Sequence, residues 1–281
     1  ILVATSSSCI RSKTWSPYDI IMISLSSSRF ILQSWTTLDS FMSIFFETSY
    51  YRENLFIVSK VIFTFLNYSS LWFGGWLSVF YCIKVASSTQ IFFIWMKQRI
   101  GRLVPWMLLT SLLCSFIAAI PFAWDVPGVH NNFTAPLSMT NSSEMRTTRK
   151  DGLGLLILLC NAGIPLPLIL SVISSVVLIQ SLWEHTRQMC NNASGFRDPS
   201  LEAHISAIKS VSSFLIVYIT YFICVLVIIF QAVSPFSIEE SICIVIMAAC
   251  PTGHTMVLIW SNPKFQDLPV RMWHHTNCHV R

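Results

Sequence analysis

The sequence predicts an all-α integral membrane protein, folded as a bundle of membrane-spanning helices. Of its 281 residues, 53% are hydrophobic and only 11% are charged, against roughly a quarter charged in an ordinary soluble domain. The charges are also unevenly spaced, and a spanning helix needs about 20 apolar residues. Five windows of at least 22 residues contain no charged residue: 61–83, 103–124, 152–183, 210–238 and 241–263. This pattern excludes a disordered chain and argues against a soluble enzyme.

A sixth apolar window, 20–46, contains only Arg29 and Asp39 as charged residues. It predicts a span with two intramembrane charges, which are costly in lipid and therefore candidates for a structural or functional role. Residues 11–260 then form one membrane domain, and residues 261–281 form a cytoplasmic tail. We expect six complete spans, at about 20–46, 55–84, 103–122, 153–183, 205–231 and 241–260.

The first residues, 1–10, are mildly apolar but too short to cross a bilayer. We interpret them as the remnant of a further span, and we expect the chain to be an incomplete copy of a seven-span protein. A cleaved signal peptide carries its basic residues before the apolar stretch, whereas Arg11 and Lys13 follow it here.

The distribution of Lys and Arg predicts the orientation of the bundle, because basic residues near span ends are retained on the cytoplasmic side. One set of alternate connections holds twelve basic residues and the other holds five. The richer set is expected to face the cytoplasm: 11–19, 84–102, 184–209 and the tail. Since these residues are dispersed over four segments, they do not indicate a nucleic-acid-binding face.

Glycosylation sequons agree with this orientation. Asn132 and Asn141 lie in the longest predicted outside loop and are expected to carry glycans. Asn192 falls in a predicted cytoplasmic loop and Asn67 falls inside a span, so neither should be modified.

The nine Cys residues lie mostly inside predicted spans or on the cytoplasmic side, and no outside loop contains one. We therefore expect reduced, packed thiols rather than disulfides. The tail cluster His274, His275, Cys278 and His279 has metal-ligand residue types, but its spacing fits no standard zinc site. No metal and no cofactor are predicted.

Two intramembrane polar residues are expected to have structural roles. Arg29 must find acceptors, and Asp39 is ten residues away, about 15 Å along a helix. We expect Arg29 to act as a clamp on backbone carbonyls or hydroxyls of neighbouring spans. His254 is expected to be a packed hydrogen-bonding residue, with a proton relay as the alternative.

Asn67 is a candidate for ligand contact as well as for interhelical packing. It shares one helical face with Phe63, Ser70 and Gly74, at spacings of three and four residues. Proline residues add to this expectation because kinked spans open cavities between helices. Pro121 is expected to end one span, Pro165 and Pro167 to kink another, and Pro251 to interrupt the last.

Four segments together resemble the bitter taste receptors, the taste receptors type 2, over nearly the whole chain. The first includes Leu25, Ser26, Arg29 and Gln33, and the second includes Phe80, Tyr81 and Lys84. The other two run from Leu178 through His185, Pro199 and His204 to Lys209, and from His254 through Leu258 and Asn262 to Lys264.

This resemblance implies a seven-transmembrane bundle of the G-protein-coupled receptor type in the plasma membrane, without catalytic activity. It implies small-molecule bitter agonists that enter from outside, membrane lipids around the bundle, and a heterotrimeric G protein of the gustducin type inside. The implied ligand-binding residues are Phe63, Asn67, Tyr218, Tyr221, Ile244 and Met247. The implied G-protein contacts are Tyr81, Lys84, His185, His204 and Lys209.

Two departures and three alternatives accompany this resemblance. Phe63 stands where many members have Trp, and Thr255 replaces a Ser, so ligand selectivity does not transfer. A type 1 vomeronasal receptor is disfavoured by the pattern from His185 to Lys209. A polytopic transporter would show inverted repeats and midplane carboxylates. An intramembrane enzyme would have only Asp39 and His254 as candidates.

Overall fold

The computed structural model describes residues 2, 5–6, 15–46, 50, 55–85, 91–121, 165–191, 199–229 and 237–261. Within these residues the chain forms six long α-helices and no strand. The helices are α1 (Pro17–Phe45), α2 (Leu55–Val85), α3 (Ile91–Ala119), α4 (Pro165–Asn191), α5 (Pro199–Ile229) and α6 (Ile238–Ser261). The all-helical prediction is confirmed.

The helix bounds agree with the expected spans most closely for α1, α2 and α6. α3 begins at Ile91 rather than at 103, because its charged segment is helical as well and the helix is longer than its apolar part. α5 likewise begins at Pro199. The expected start of the fourth span, at 153, lies outside the described residues.

Four helices among the described residues are long and apolar enough to cross a membrane. These segments are Leu55–Lys84, Ile94–Ala119, Ile208–Ile228 and Ser241–Ser261. The described part of α4 contributes a shorter apolar helix, Pro165–Ser181. α1 is rich in Ser and Thr and contains Arg29 and Asp39, and it does not belong to this set.

α2 is the central helix of the bundle. It packs against α1, α3, α4 and α5, while α6 packs against α5 and touches α1. The larger core cluster joins four helices: Ile21, Met22 and Leu25 of α1, Phe73, Leu77 and Phe80 of α2, Val104 and Leu108 of α3, and Leu258 of α6. The outer surface is apolar, as lipid contact requires; Trp106 is 67% exposed and Ile117 is 64% exposed.

Two adjacent glycines allow α2 to approach its neighbours closely. A Cβ on Gly74 would lie 2.7 Å from Cζ of Phe214 on α5, which is too close for an unaltered packing arrangement. A Cβ on Gly75 would lie 3.4 Å from Cβ of Pro167 on α4, an ordinary contact. Small residues at helix crossings are typical of membrane bundles, where packing rather than apolar transfer holds the helices together.

Polar side chains also join neighbouring helices. Trp76 on α2 donates from Nε1 to the Ser111 hydroxyl on α3 at 2.6 Å. Asp39 on α1 accepts hydrogen bonds from Tyr50 and from Ser59 at the start of α2. Asp39 thus serves the α1–α2 connection and does not contact Arg29, as its sequence separation predicts.

The proline predictions had mixed outcomes. α3 ends at Ala119, two residues before Pro121, as expected. Pro165 and Pro167 lie in the first turn of the described part of α4, where proline is tolerated. The prediction that Pro251 interrupts the last span is wrong, because α6 continues through it to Ser261. The hydroxyl of Thr255 donates to the Pro251 carbonyl at 2.8 Å and supports this turn.

The cysteines whose side chains the structure describes are not paired in disulfides with one another. These free cysteines are Cys82, Cys114, Cys224, Cys243 and Cys250. Cys250 donates from Sγ to the backbone carbonyl of Val217 at 3.6 Å and so links α6 to α5.

Candidate functional site

A narrow crevice between α2, α5 and α6 brings together most of the intramembrane polar residues that the sequence singled out. Its free volume is about 20 Å³, which is enough for roughly one water molecule. The lining residues are Arg29, Asn67, Ser70, Leu71, Phe214, Val217, Tyr218, Tyr221, Cys250, Pro251 and His254. Three of the six expected ligand-binding residues, Asn67, Tyr218 and Tyr221, are therefore in one place.

Asn67 and Tyr221 form a direct hydrogen bond across the crevice. The Asn67 amide donates to the Tyr221 hydroxyl at 2.5 Å, and the two side chains are 5% and 4% exposed. This contact joins α2 to α5 in a low-dielectric interior, where an unpaired amide would be costly. In this closed arrangement Asn67 makes the interhelical contact that was one of its two predicted roles.

Aromatic rings form the apolar wall of the crevice. Tyr218 is 1% exposed, and its ring centroid lies 5.4 Å from that of Phe214 and 6.4 Å from that of Tyr221. Phe214 in turn lies 4.9 Å from the His254 imidazole. A wall of rings with a few hydroxyl and amide groups is typical of sites for amphipathic small molecules.

Arg29 clamps α1 to α6 at the edge of this crevice. Its Nη1 donates to the Thr255 hydroxyl at 2.8 Å, and its Nη2 lies 2.7 Å from Nδ1 of His254. Because a guanidinium only donates, Nδ1 accepts, so His254 is neutral and carries its proton on Nε2. Arg29 Nε and His254 Nε2 are buried without a hydrogen-bond partner among the described residues.

The contacts of Arg29 match its predicted structural role. The hydroxyl acceptor on a neighbouring span was expected, whereas the imidazole acceptor was not. Since His254 and Thr255 are adjacent in sequence, both acceptors come from one turn of α6. The contact with a guanidinium makes His254 a packed hydrogen-bonding residue in this structure, as its first interpretation predicted.

The other three expected ligand-binding residues are placed differently. Met247 packs at the margin of the aromatic cluster, and Phe63 is partly buried outside the crevice. Ile244 does not line the crevice and is 54% exposed on the outer surface of α6. The inward face of α6 runs through Met247, Cys250 and His254, and the 3.6-residue helical repeat leaves Ile244 off that face.

Six of the lining residues were not predicted as site residues: Ser70, Leu71, Phe214, Val217, Cys250 and Pro251. Phe214 precedes Tyr218 by one helical turn, so the aromatic spacing in the sequence was an available signal. Cys250 was expected to be a packed thiol, and its position beside Pro251 gave no further indication.

The expected G-protein contacts also separate into two groups. Tyr81 is half-buried and hydrogen-bonds with Tyr18 of α1 and Ser210 of α5. Lys84 and Lys209 are exposed at the same end of the bundle. Tyr81 is thus turned into a three-helix contact while Lys84 is exposed, and their contact with a G protein stays a prediction.

Some predicted residues fall outside what the structure describes. His185 and His204 lie on α4 and α5, but their side chains are not described. The glycosylation candidates Asn132 and Asn141 and the cluster at 274–279 are not described either. Within the described part of the chain, no group of three or more metal-ligating side chains occurs.

The fold and site define a multi-pass, all-helical membrane protein with a buried polar clamp and a closed aromatic crevice. The family model described as taste receptor protein (TAS2R) matches residues 1–277. The chain belongs to this family, the taste receptors type 2.

Several relatives bear the same family name. Taste receptor type 2 member 40 of Gallus gallus is 58% identical over 281 residues, which cover 100% of this chain and 90% of that protein. Taste receptor type 2 member 39 of Papio hamadryas is 35% identical over 273 residues, covering 97% and 80%. Taste receptor type 2 member 2 of Homo sapiens is 33% identical over 267 residues, covering 95% and 87%.

Family membership confirms the class that the sequence motifs indicated. The chain is a receptor-type membrane protein of a seven-transmembrane family, and six helices of its bundle lie within the described residues. The relatives are named as taste receptors, which favours this class over the vomeronasal-receptor and transporter alternatives.

Proposed function

We propose that this receptor binds small amphipathic bitter compounds in the crevice between α2, α5 and α6 and activates a heterotrimeric G protein of the gustducin type. The supporting observation is the convergence of Asn67, Tyr218 and Tyr221 at one aromatic crevice inside the bundle. The family name supports a sensory ligand. The chemistry of the crevice supports a molecule with a large apolar surface and one or two polar groups.

The crevice must open before it can hold such a compound. Its free volume is about 20 Å³, whereas sites for small molecules usually have volumes of about 300–1,000 Å³. In this proposal the receptor has two states, and the arrangement with the narrow crevice is the closed one. An agonist binds the open state and shifts the population toward it.

The Asn67–Tyr221 hydrogen bond is the polar contact that opening would break. Separation of α2 and α5 releases an amide and a hydroxyl, both of which then need new partners. A polar group on the agonist can supply them. Because of this exchange, a mostly apolar pocket binds ligands with suitably placed polar groups more tightly.

α5 carries this change toward the cytoplasmic end. The same helix holds Tyr221 at the crevice and Ser210 at the Tyr81 contact, and the two positions are eleven residues, about 16 Å, apart along the axis. A shift of α5 that opens the crevice also loosens the contact of Tyr81 with Ser210. The exposed Lys84 and Lys209 flank the surface that a G protein would then reach.

The orientation follows from charge. The exposed basic residues Lys84, Arg99 and Lys209 lie at one end of the bundle, as expected for the cytoplasmic side of a plasma-membrane receptor. Agonists then enter from the opposite end.

The test is agonist-evoked calcium signalling in cells that express the receptor with a promiscuous G protein and a panel of bitter compounds. Asn67→Ala and Tyr218→Phe each remove one polar group from the crevice. We expect a several-fold rise in half-maximal concentration for some agonists and not for others, because a lost hydrogen bond is worth about 1 kcal/mol.

Tyr68→Phe is the matched control. Tyr68 is a buried tyrosine of the same aromatic cluster, but it does not line the crevice. It should leave the agonist pattern unchanged. An equal loss for every agonist in Asn67→Ala and Tyr218→Phe, accompanied by reduced surface expression, would show that these residues only hold the helices together.

A further inference from the structure

Cysteine thiols of two neighbouring helices meet in the seam between α5 and α6. Cys224 lies on α5 and Cys243 lies on α6, and their side chains form a hydrogen bond with each other. Cys224 is 6% exposed, whereas Cys243 is partly exposed. One buried thiol and one accessible thiol therefore lie side by side.

α5 and α6 pack antiparallel, and their contacts repeat along the seam. The ring of Phe214 on α5 lies 4.9 Å from that of His254 on α6. One turn further along α5, the Val217 carbonyl accepts from Sγ of Cys250 at 3.6 Å. The contacts thus move toward the start of α6 as they move toward the end of α5.

Two further turns in the same direction bring Cys224 opposite Cys243. Cys224 follows Val217 by seven residues, and Cys243 precedes Cys250 by seven residues. Seven residues are close to two turns of an α-helix, so both side chains return to the seam. The packing of the two helices therefore brings the thiols together independently of the hydrogen bond between them.

The thiol pair lies near the edge of the membrane. Cys224 is four residues before the end of the apolar segment Ile208–Ile228, and Cys243 is two residues after the start of Ser241–Ser261. These separations are about 6 Å and about 3 Å along the helix axes. The exposed Lys209 lies at the opposite end of α5, so the charge distribution assigns the thiol pair to the outside, where disulfides form and persist.

We propose that Cys224 and Cys243 form a redox site, which an extracellular low-molecular-weight disulfide oxidises to a disulfide bond between α5 and α6. The Cys243 thiolate attacks one sulfur of the small disulfide, which gives a mixed disulfide and releases one small thiolate. The Cys224 thiolate then attacks the Cys243 sulfur and expels the second small thiolate. Each expelled thiolate takes up one of the two protons that the protein thiols lost. Two protein thiols are oxidised, and one small disulfide is reduced to two thiols.

This bond favours the closed crevice. Tyr221, which lines the crevice, is one turn deeper along α5 than Cys224. α5 must move away from its neighbours to admit an agonist, and a covalent bond to α6 near the entrance restricts that movement. This consequence rests on the function proposed above, whereas formation of the bond does not.

The first measurement detects the bond in the full chain. Membranes that contain the receptor are incubated with oxidised glutathione, free thiols are alkylated, and the denatured chain is cut by a protease specific for Glu. Cleavage after Glu202 and Glu239 releases a fragment whose only cysteine is Cys224. We expect this fragment to stay joined to the C-terminal fragment without reductant and to separate from it after reduction.

Serine variants identify the partner cysteine. Cys243→Ser should abolish the joined fragment. Cys250→Ser should retain it, because Cys250 lies two turns deeper in the seam.

The second measurement is agonist-evoked calcium signalling before and after the same treatment. We expect oxidation to raise the half-maximal agonist concentration several-fold, dithiothreitol to reverse the rise, and Cys243→Ser to show no such dependence. Cys114→Ser is the matched control and should behave like the parent, because Cys114 is an exposed thiol on α3, away from the seam.

Three results contradict the proposal. Absence of the joined fragment from the oxidised parent overturns it, and this result needs no variant that must fold. Persistence of the joined fragment in Cys243→Ser overturns the assignment of the partner. A bond that leaves the half-maximal concentration unchanged overturns its effect on the crevice. If the reduced parent responds to no agonist, the proposed function fails instead, and the fragment measurement still decides whether the bond forms.

Discussion

The contact between Arg29 and α6 shows how neighbouring acceptors lower the free-energy cost of a buried charge. Arg29 is 9% exposed, and its charge is tolerated because a hydroxyl and an imidazole accept from it. Thr255 also donates to the Pro251 carbonyl, so one hydroxyl serves both the clamp and the proline turn. Loss of this hydroxyl therefore leaves Arg29 Nη1 without its acceptor, whereas the Pro251 carbonyl keeps the backbone N–H of the helix.

We predict that Thr255→Val lowers stability by about 2 kcal/mol, because a buried guanidinium N–H loses its acceptor. Thr255→Ser keeps the hydroxyl and should remain close to the parent. The measurement is the midpoint of thermal unfolding in detergent. Thr220→Val is the matched control: the Thr220 hydroxyl also bonds a carbonyl four residues earlier, but it is exposed and contacts no arginine. Equal effects of Thr255→Val and Thr220→Val would contradict the clamp.

At this scale the sequence predicted which residues are special better than it predicted their partners. Arg29, Asn67 and His254 stood out because a polar group inside a span must be satisfied. That Asn67 pairs with Tyr221 depends on how α2 and α5 are rotated against each other. Spacing within one helix predicts which residues share a face of that helix, but it does not predict which face of the neighbouring helix they meet. Ile244 was expected in the site for the same reason.

At the scale of the helices, α2 organises the bundle through its small residues. Gly74 lets Phe214 of α5 reach the α2 backbone, and Phe214 then contacts both Tyr218 and His254. The position of one ring thus connects the α2–α5 crossing to the crevice. The neighbouring Gly75 faces Pro167 of α4 and has more room.

We predict that Gly74→Ala displaces Phe214, costs about 1–3 kcal/mol from overpacking and shifts agonist half-maximal concentrations. Gly75→Ala adds the same methyl group one residue away, and it should be neutral or slightly stabilising, since Ala favours a helix by about 1 kcal/mol over Gly. Thermal unfolding and calcium signalling of the two variants provide the comparison. Similar behaviour of both variants would mean that α5 does not pack against α2 in this way.

The existence and order of the helices could be predicted from sequence because uncharged windows are a strong signal. Their ends could be predicted only where charge and turn residues coincide, as at α1 and α6. The early start of α3 was missed because charged residues can continue a helix beyond the membrane. Pro251 was read as a break, whereas Thr255 and the neighbouring helices keep α6 continuous.

At the scale of the whole molecule, charge is concentrated at one end of the bundle. The end of α2, the start of α3 and the start of α5 bring Lys84, Arg102 and Lys209 together, all of them exposed. The proposed signalling surface lies at this end, so it depends on this end facing the cytoplasm. The crevice lies deeper in the bundle, and the proposed entrance for agonists is at the opposite end.

Glycosylation tests that orientation independently of signalling. Asn132 and Asn141 are predicted to be outside and Asn192 inside. We therefore predict that glycosidase treatment of the membrane-expressed receptor increases its electrophoretic mobility, and that Asn132→Gln/Asn141→Gln abolishes the change. Asn192→Gln is the matched control and should leave the parent mobility shift intact, because the enzyme that transfers N-glycans acts only on the lumenal side. Glycan on Asn192 would invert the bundle and place the exposed residues Lys84, Arg102 and Lys209 outside the cell, where a G protein could not reach them.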